Sequence, residues 1–213
     1  MEAGARTYGG VSADERRARR RRLLVEAGVE IFGTQGASNA TMTAVCARAK
    51  LTERYFYESF PDLDSLLVAV FENVVEEAAE VVLAAAEDSP EEARGRARAA
   101  IAAFVEFVTD DPRKARIAFV EALGSTALAN RRYEALAGFA GLLGDQARAF
   151  YGTPDEADRI VRLTSFMLVG GLAETLIAWL GGELEMTRDE LIDDCTDLFV
   201  AMGEAALQIS AER

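Results

Sequence analysis

The sequence contains no histidine. That removes a histidine-based triad, a histidine general base and a His-rich zinc site. Cysteine is nearly as scarce. Cys46 and Cys195 stand far apart and form no CxxC pair, so both read as small, reduced core residues. No uninterrupted apolar run reaches the ~18 residues of a membrane-spanning helix, and no such span is expected. Glu26 and Glu30 interrupt Leu23–Phe32, so the arginine-rich start is not followed by a secretory apolar core. The expectation is a soluble, cytoplasmic chain. Glycine-rich phosphate loops, nucleophile elbows and paired Glu-x-x-His motifs are also missing. The acid pairs Glu76-Glu77, Glu91-Glu92 and Asp193-Asp194 are sequence neighbours. On a helix they point about 100° apart and share no site. The sequence therefore predicts no enzyme, no cofactor and no metal centre.

What is present begins with charge. The 213 residues are half apolar, and the formal net charge is −13. The distribution is uneven. Residues 1–60 carry ten basic and seven acidic side chains; the remainder carries thirteen and twenty-nine. A basic N-terminal part on an acidic body differs from a uniformly acidic protein. Arginine is by far the commoner base, since Lys50 and Lys114 are the two lysines.

Helix signals punctuate the chain. Three of the four prolines follow a capping side chain, in Ser89-Pro90, Asp111-Pro112 and Thr153-Pro154. Ser12-Ala13-Asp14-Glu15 and Thr187-Arg188-Asp189-Glu190 have the form of capping boxes. Apolar residues recur every three to four positions, as in Leu24, Ala27, Ile31 and Phe32, or Leu66, Leu67, Val70, Phe71 and Val74. Nothing alternates as a strand. The expectation is an all-α fold of about nine helices, near 13–34, 42–49, 53–59, 62–87, 90–109, 112–124, 126–151, 154–181 and 188–209. Residues 1–61 form one expected domain and 62–213 a second.

Two of these helices are very short and lie together. Thr41 caps the first, on which Val45 and Ala49 share a face. A tight turn over Lys50 and Leu51 follows, and Thr52 caps the second. Phe56 and Phe60, four apart, anchor one face of it and leave Thr52, Glu53, Tyr55, Tyr57 and Ser59 to point elsewhere. Two short helices joined this way fit a helix-turn-helix, whose second helix enters the DNA major groove, although short helical hairpins also occur as plain structure. Ahead of them, Arg16–Arg22 holds six arginines in seven positions. Clustered like charge on a helix is unfavourable unless anions meet it, and DNA phosphate or the minor groove supplies them.

Residues 22–67 resemble the DNA-binding segment of the TetR (tetracycline-repressor-like) family of transcriptional regulators. The resemblance lies in Ala27–Phe32 with Gly36, Thr41-Met42-x-x-Val45, Ala49-x-Leu51-Thr52, Tyr57-x-x-Phe60 and Leu66-Leu67. Lys50 stands where the family usually has glycine, and Leu63 where it usually has lysine. By resemblance, Thr41, Thr43, Thr52, Tyr57 and Ser59 reach backbone oxygens. Arg54 and Tyr55 are the candidates for base edges; a two-pronged arginine–guanine contact discriminates by about 1–3 kcal/mol. Lys50, with Arg16, Arg17 and Arg19, completes the candidate DNA-binding set.

The resemblance also assigns roles in the body. The last two long helices carry more apolar surface than one helix pair can cover. By resemblance they form a four-helix bundle with their copies in a homodimer, with Phe166, Gly170, Gly171, Trp179, Cys195, Phe199 and Met202 as interface candidates. The middle helices are expected to enclose an apolar cavity for a small apolar or aromatic effector. Its candidate lining is Phe104, Phe107, Phe119, Tyr133, Phe139, Phe150 and Phe166, with Arg116, Glu121, Asn130, Gln146 and Glu174 as polar candidates. The function implied is a dimeric regulator, usually a repressor, that binds a palindromic double-stranded DNA operator and releases it on effector binding. The competing readings are a helical enzyme and a helical protein–protein module. The latter leaves the arginine cluster unexplained.

Overall fold

A computed structural model describes residues 12–89, 92–152 and 158–212. Every regular element among them is helical. The first is α1, Ala13–Gln35. After a 3-10 turn, Ala37–Asn39, come α2, Met42–Ala49, α3, Glu53–Tyr57, α4, Leu63–Glu87, and α5, Ala93–Asp110. The sixth, α6, is continuous through three segments: Pro112–Ala115, a π-helical stretch Arg116–Glu121, and Ala122–Gly124. Then follow α7, Ala129–Tyr151, α8, Asp158–Leu180, and α9, Arg188–Ala211. The all-α expectation holds, and the helix positions match it closely.

Helix starts are set by local hydrogen bonds. Both capping boxes form: Ser12 Oγ accepts from the Glu15 amide, and Thr187 Oγ1 from the Glu190 amide. Asp111 Oδ1 accepts from the Arg113 amide at 3.1 Å, which starts α6 with Pro112 in the first turn. The expected start at Ser89-Pro90 differs. Residues 90–91 lie outside the described residues, Ser89 Oγ donates to the Ala86 carbonyl, and α5 begins at Ala93. The Thr153-Pro154 start also lies outside the described residues.

The chain divides into two compact units, Met1–Val70 and Phe71–Arg213, with the division inside α4. The core of the first unit is built from Leu24, Ile31 and Phe32 of α1, Val45 of α2, Phe56 of α3, Phe60, and Leu66, Leu67 and Val70 of α4. Gly28 lies on the same face of α1. A Cβ there would sit 2.6 Å from Val70 Cγ2, so the α1–α4 approach requires glycine. In the second unit, Ile101, Val105 and Val108 of α5 pack with Phe119, Leu176, Leu191, Ile192 and Cys195. One described helix, Arg159–Leu180 within α8, is long and apolar enough to cross a membrane by length and composition alone. Its best window has a mean hydropathy of 1.6, and 17% of that window is buried. Arg162 and Glu174 lie within this helix, so it holds no uninterrupted apolar run of that length.

Candidate nucleic-acid interface and effector cavity

Thr41 Oγ1 accepts from the Ala44 amide at 3.2 Å and starts α2. The helix ends at Lys50, which takes the left-handed conformation with φ 55° and ψ 41°. The Leu51 amide then reaches back to the Cys46 carbonyl at 3.0 Å. This is the closed C-terminal turn usually made with glycine. Lysine adopts it at a cost of about 1 kcal/mol. The turn therefore forms where the sequence placed it, and it leaves the Lys50 side chain exposed.

Thr52 occupies the residue before α3, but its side chain makes no capping bond. This corrects the expected cap, since the Thr52 carbonyl instead accepts from the Tyr55 and Phe56 amides. The Thr52 hydroxyl is left exposed. Phe56 and Phe60 are buried, with ring centres 6.1 Å apart. That fixes the rotation of α3. Glu53, Arg54 and Tyr57 are turned outward, and Tyr57 is 60% exposed. Arg54 pairs with Glu58 at 3.1 Å, one turn along the same surface. So open a pair contributes little to stability. Tyr55 is partly covered, because the Arg20 guanidinium lies 4.5 Å from its ring centre. Thr43 is exposed, while Ser59 is half-buried with a buried Oγ that has no partner.

The arginine run divides by helical face. Arg16, Arg17 and Arg19 are exposed, as a phosphate-facing role requires. Arg20 and Arg21 instead fold onto the helix-turn-helix. Arg20 pairs with Glu58 at 3.2 Å, and Arg21 lies 4.3 Å from the Phe60 ring centre. Sequence reasoning did not separate these two from their neighbours. The signal was available: they stand four and three residues before buried Leu24, so helical phase turns them toward its side of α1.

The second unit contains a cavity of about 300 Å³. Of the predicted lining residues, Phe104, Phe107, Phe119, Phe139 and Phe150 face it. Tyr133 and Phe166 do not. They stack on one another at 6.5 Å on the surface, 65% and 37% exposed. Among the polar candidates Gln146 lines the cavity. Arg116 and Glu121 are tied together at 3.0 Å, Glu174 pairs with Arg132, and Asn130 is exposed. Sequence reasoning missed Arg96, Arg132, Thr164 and Ser165, which supply polar groups to the wall together with Tyr151, an aromatic the sequence already placed in this region. Burial, with Glu204 as a lesser cause, raises the Tyr151 phenol above its ordinary value, so it stays protonated and able to donate.

The interface candidates also separate. Gly170 and Gly171 look onto open space, Phe166 lies on the surface, and Met202 is half-buried. Cys195 belongs to the core against α5, with its thiol pushed up by burial and by Asp194. Trp179 packs against that core and donates its indole N–H to the Met186 carbonyl at 2.9 Å. Phe199 lines the cavity. These three are drawn inward because the apolar spacing of α9 and of the end of α8 serves the chain's own interior. The open apolar surface is instead Leu163, Phe166, Met167 and Leu180 of α8, with Leu198 and Ile209 of α9. No cluster of potential metal ligands occurs among the described residues.

Residues 24–70 match the family model for bacterial regulatory proteins, tetR family. No curated protein matches the chain. Solved structures do. A proposed transcriptional regulator from Pseudomonas aeruginosa PAO1 is 21% identical with a TM-score of 0.69, over 90% of this chain and 94% of that one. A TetR-like transcriptional regulator from Rhodococcus sp. RHA1 is 20% identical with a TM-score of 0.58, over 90% and 97%. The multidrug binding protein EbrR, solved with imidazole, is 20% identical with a TM-score of 0.66, over 91% and 97%. At these identities the likeness establishes the fold.

Proposed function

We propose how this DNA-binding transcriptional regulator, which carries the TetR-family DNA-binding segment, does its work: as a cytoplasmic homodimeric repressor that releases a palindromic operator when a small molecule binds. The observation that carries the DNA half is the rotation of α3. Phe56 and Phe60 lock one face into the core, so Thr52, Arg54 and Tyr57 form an outward polar face beside the Lys50 turn. Arg54 and Tyr57 read base edges and backbone; Thr41, Thr43, Thr52, Lys50 and exposed Arg16, Arg17 and Arg19 hold phosphates. Phosphate contacts position such a protein and base contacts specify the site.

One short recognition helix covers few base pairs, and two-fold dimers set two of them about 34 Å apart. The open stripe of Leu163, Phe166, Met167, Gly170 and Gly171, with Leu198 and Ile209, supports a dimer through α8 and α9. Exposed apolar residues gathered on neighbouring turns of α8 are the kind of surface that marks an interaction site. The cavity supports an effector, as aromatic and aliphatic walls with few polar groups suit small ligands. Phe71, Val74 and Ala78 of α4 line it, and Leu66, Leu67 and Val70 of the same helix belong to the DNA-binding unit's core. An effector that favours one setting of α4 then disfavours operator binding. A coupling of about 1–3 kcal/mol changes affinity about 5–150-fold.

The test is a gel shift on the DNA upstream of the protein's own gene, over a salt series. Sequence-preferring binding by two chains per site supports the reading. Absence of any preference at low and moderate salt favours a helical protein–protein module instead.

A further inference from the structure

Three arginines alternate at the start of α5. Arg94 pairs with Asp197 at 2.8 Å and Arg98 with Asp193 at 2.7 Å, both on α9. Arg96 lies between them in sequence and, at about 100° per residue, points to the far side of the helix. There it lines the cavity. Its Nε is buried without a hydrogen-bond partner, and no carboxylate pairs with it among the described residues. Its guanidinium carbon stands 5.8 Å from the Phe150 ring centre. Arginine keeps its proton in proteins, and a buried donor left unmet is unfavourable. Among the described residues this buried donor on a permanently charged group meets no acceptor. Arg96 and Arg132 line the cavity, Arg132 is already paired with Glu174, and no aspartate or glutamate is among the lining residues.

We propose that the cavity takes an amphipathic monocarboxylate. Arg96 holds the carboxylate through charge-assisted N–H···O bonds, with Gln146 and the protonated Tyr151 phenol as neutral donors in the same wall. The apolar body of the ligand lies against Phe104, Phe139 and Leu168. A volume of about 300 Å³ admits one alkyl chain or ring system. The inference rests on the reading of the cavity as an effector site and adds the charge of its ligand.

Calorimetric titration of the full-length protein with decanoate, decanol and decylamine tests it. Decanoate binds at least about tenfold more tightly than decanol, and decylamine binds less tightly than either. Arg96→Gln removes the preference for the acid and leaves decanol affinity within about twofold; Arg96→Lys, which keeps the charge, retains the preference. Arg96 makes no ion pair among the described residues and touches only the Phe150 ring, so both variants are expected to fold, and circular dichroism checks this. Equal binding of decanoate and decanol, or an acid preference that survives Arg96→Gln, overturns the anion inference while the effector cavity stands. If none of the three probes binds, the cavity reading fails with it.

Discussion

At Lys50, a side chain occupies a backbone conformation that favours glycine, and this position separates two contributions that are usually confounded. Lys50→Gly relieves the left-handed strain, so the folded state gains about 1 kcal/mol in denaturant titration. The same change deletes an exposed ammonium beside α3. DNA affinity is then expected to fall for all sequences alike, and the salt slope to shrink by about one phosphate's worth. Gly28 makes the opposite demand. Val70 is fully buried 2.6 Å from where a Cβ would be, so Gly28→Ala forces α1 and α4 apart. The expected loss is about 1–3 kcal/mol, read as a lower unfolding midpoint.

Helix ends and faces account for most of what was legible in the sequence. Caps are local, so Ser12, Thr41, Asp111 and Thr187 could be read directly, and each makes its bond. Glu190 shows the consequence. Its carboxylate accepts from the backbone and side chain of Thr187, which holds its pKa below the ordinary value. A lowered folded pKa stabilises above the unfolded value of about 4.3 and is lost as pH falls through the folded value. Thermal melts from neutral to acidic pH should therefore lose less stability in Glu190→Gln than in the wild type. Periodicity likewise placed Phe56 and Phe60 inside. It could not say which neighbour a face meets. Cys195, Trp179 and Phe199 have the spacing of an interface yet pack inward, and Tyr133 and Phe166 find each other on the surface instead of the cavity. Arg20 and Arg21 were hidden in a run of identical residues, where charge draws attention away from helical phase. Arg96 was equally invisible, because only the pairing of Arg94 and Arg98 with α9 reveals which way it points.

Across the whole molecule, charge and apolar surface are divided between tasks. The net charge of −13 coexists with a basic N-terminal sixty residues, so the acidic remainder repels DNA and favours approach through the basic part. In the proposed dimer the open stripe on α8 and α9 has the complementary role. Met167→Arg together with Leu198→Glu places charge on that stripe without touching α3. Sedimentation should then show a monomer, with operator affinity falling because the two half-sites are no longer bound jointly. The most direct measurement is fluorescence anisotropy of the purified protein on its upstream DNA and on a scrambled duplex of equal length and composition, with the wild type and Arg54→Ala. The wild type is predicted to prefer the upstream sequence at every salt concentration, and Arg54→Ala to erase most of that preference while leaving scrambled-duplex affinity nearly unchanged. Equal wild-type affinity for the two duplexes would contradict sequence recognition by the outward face of α3.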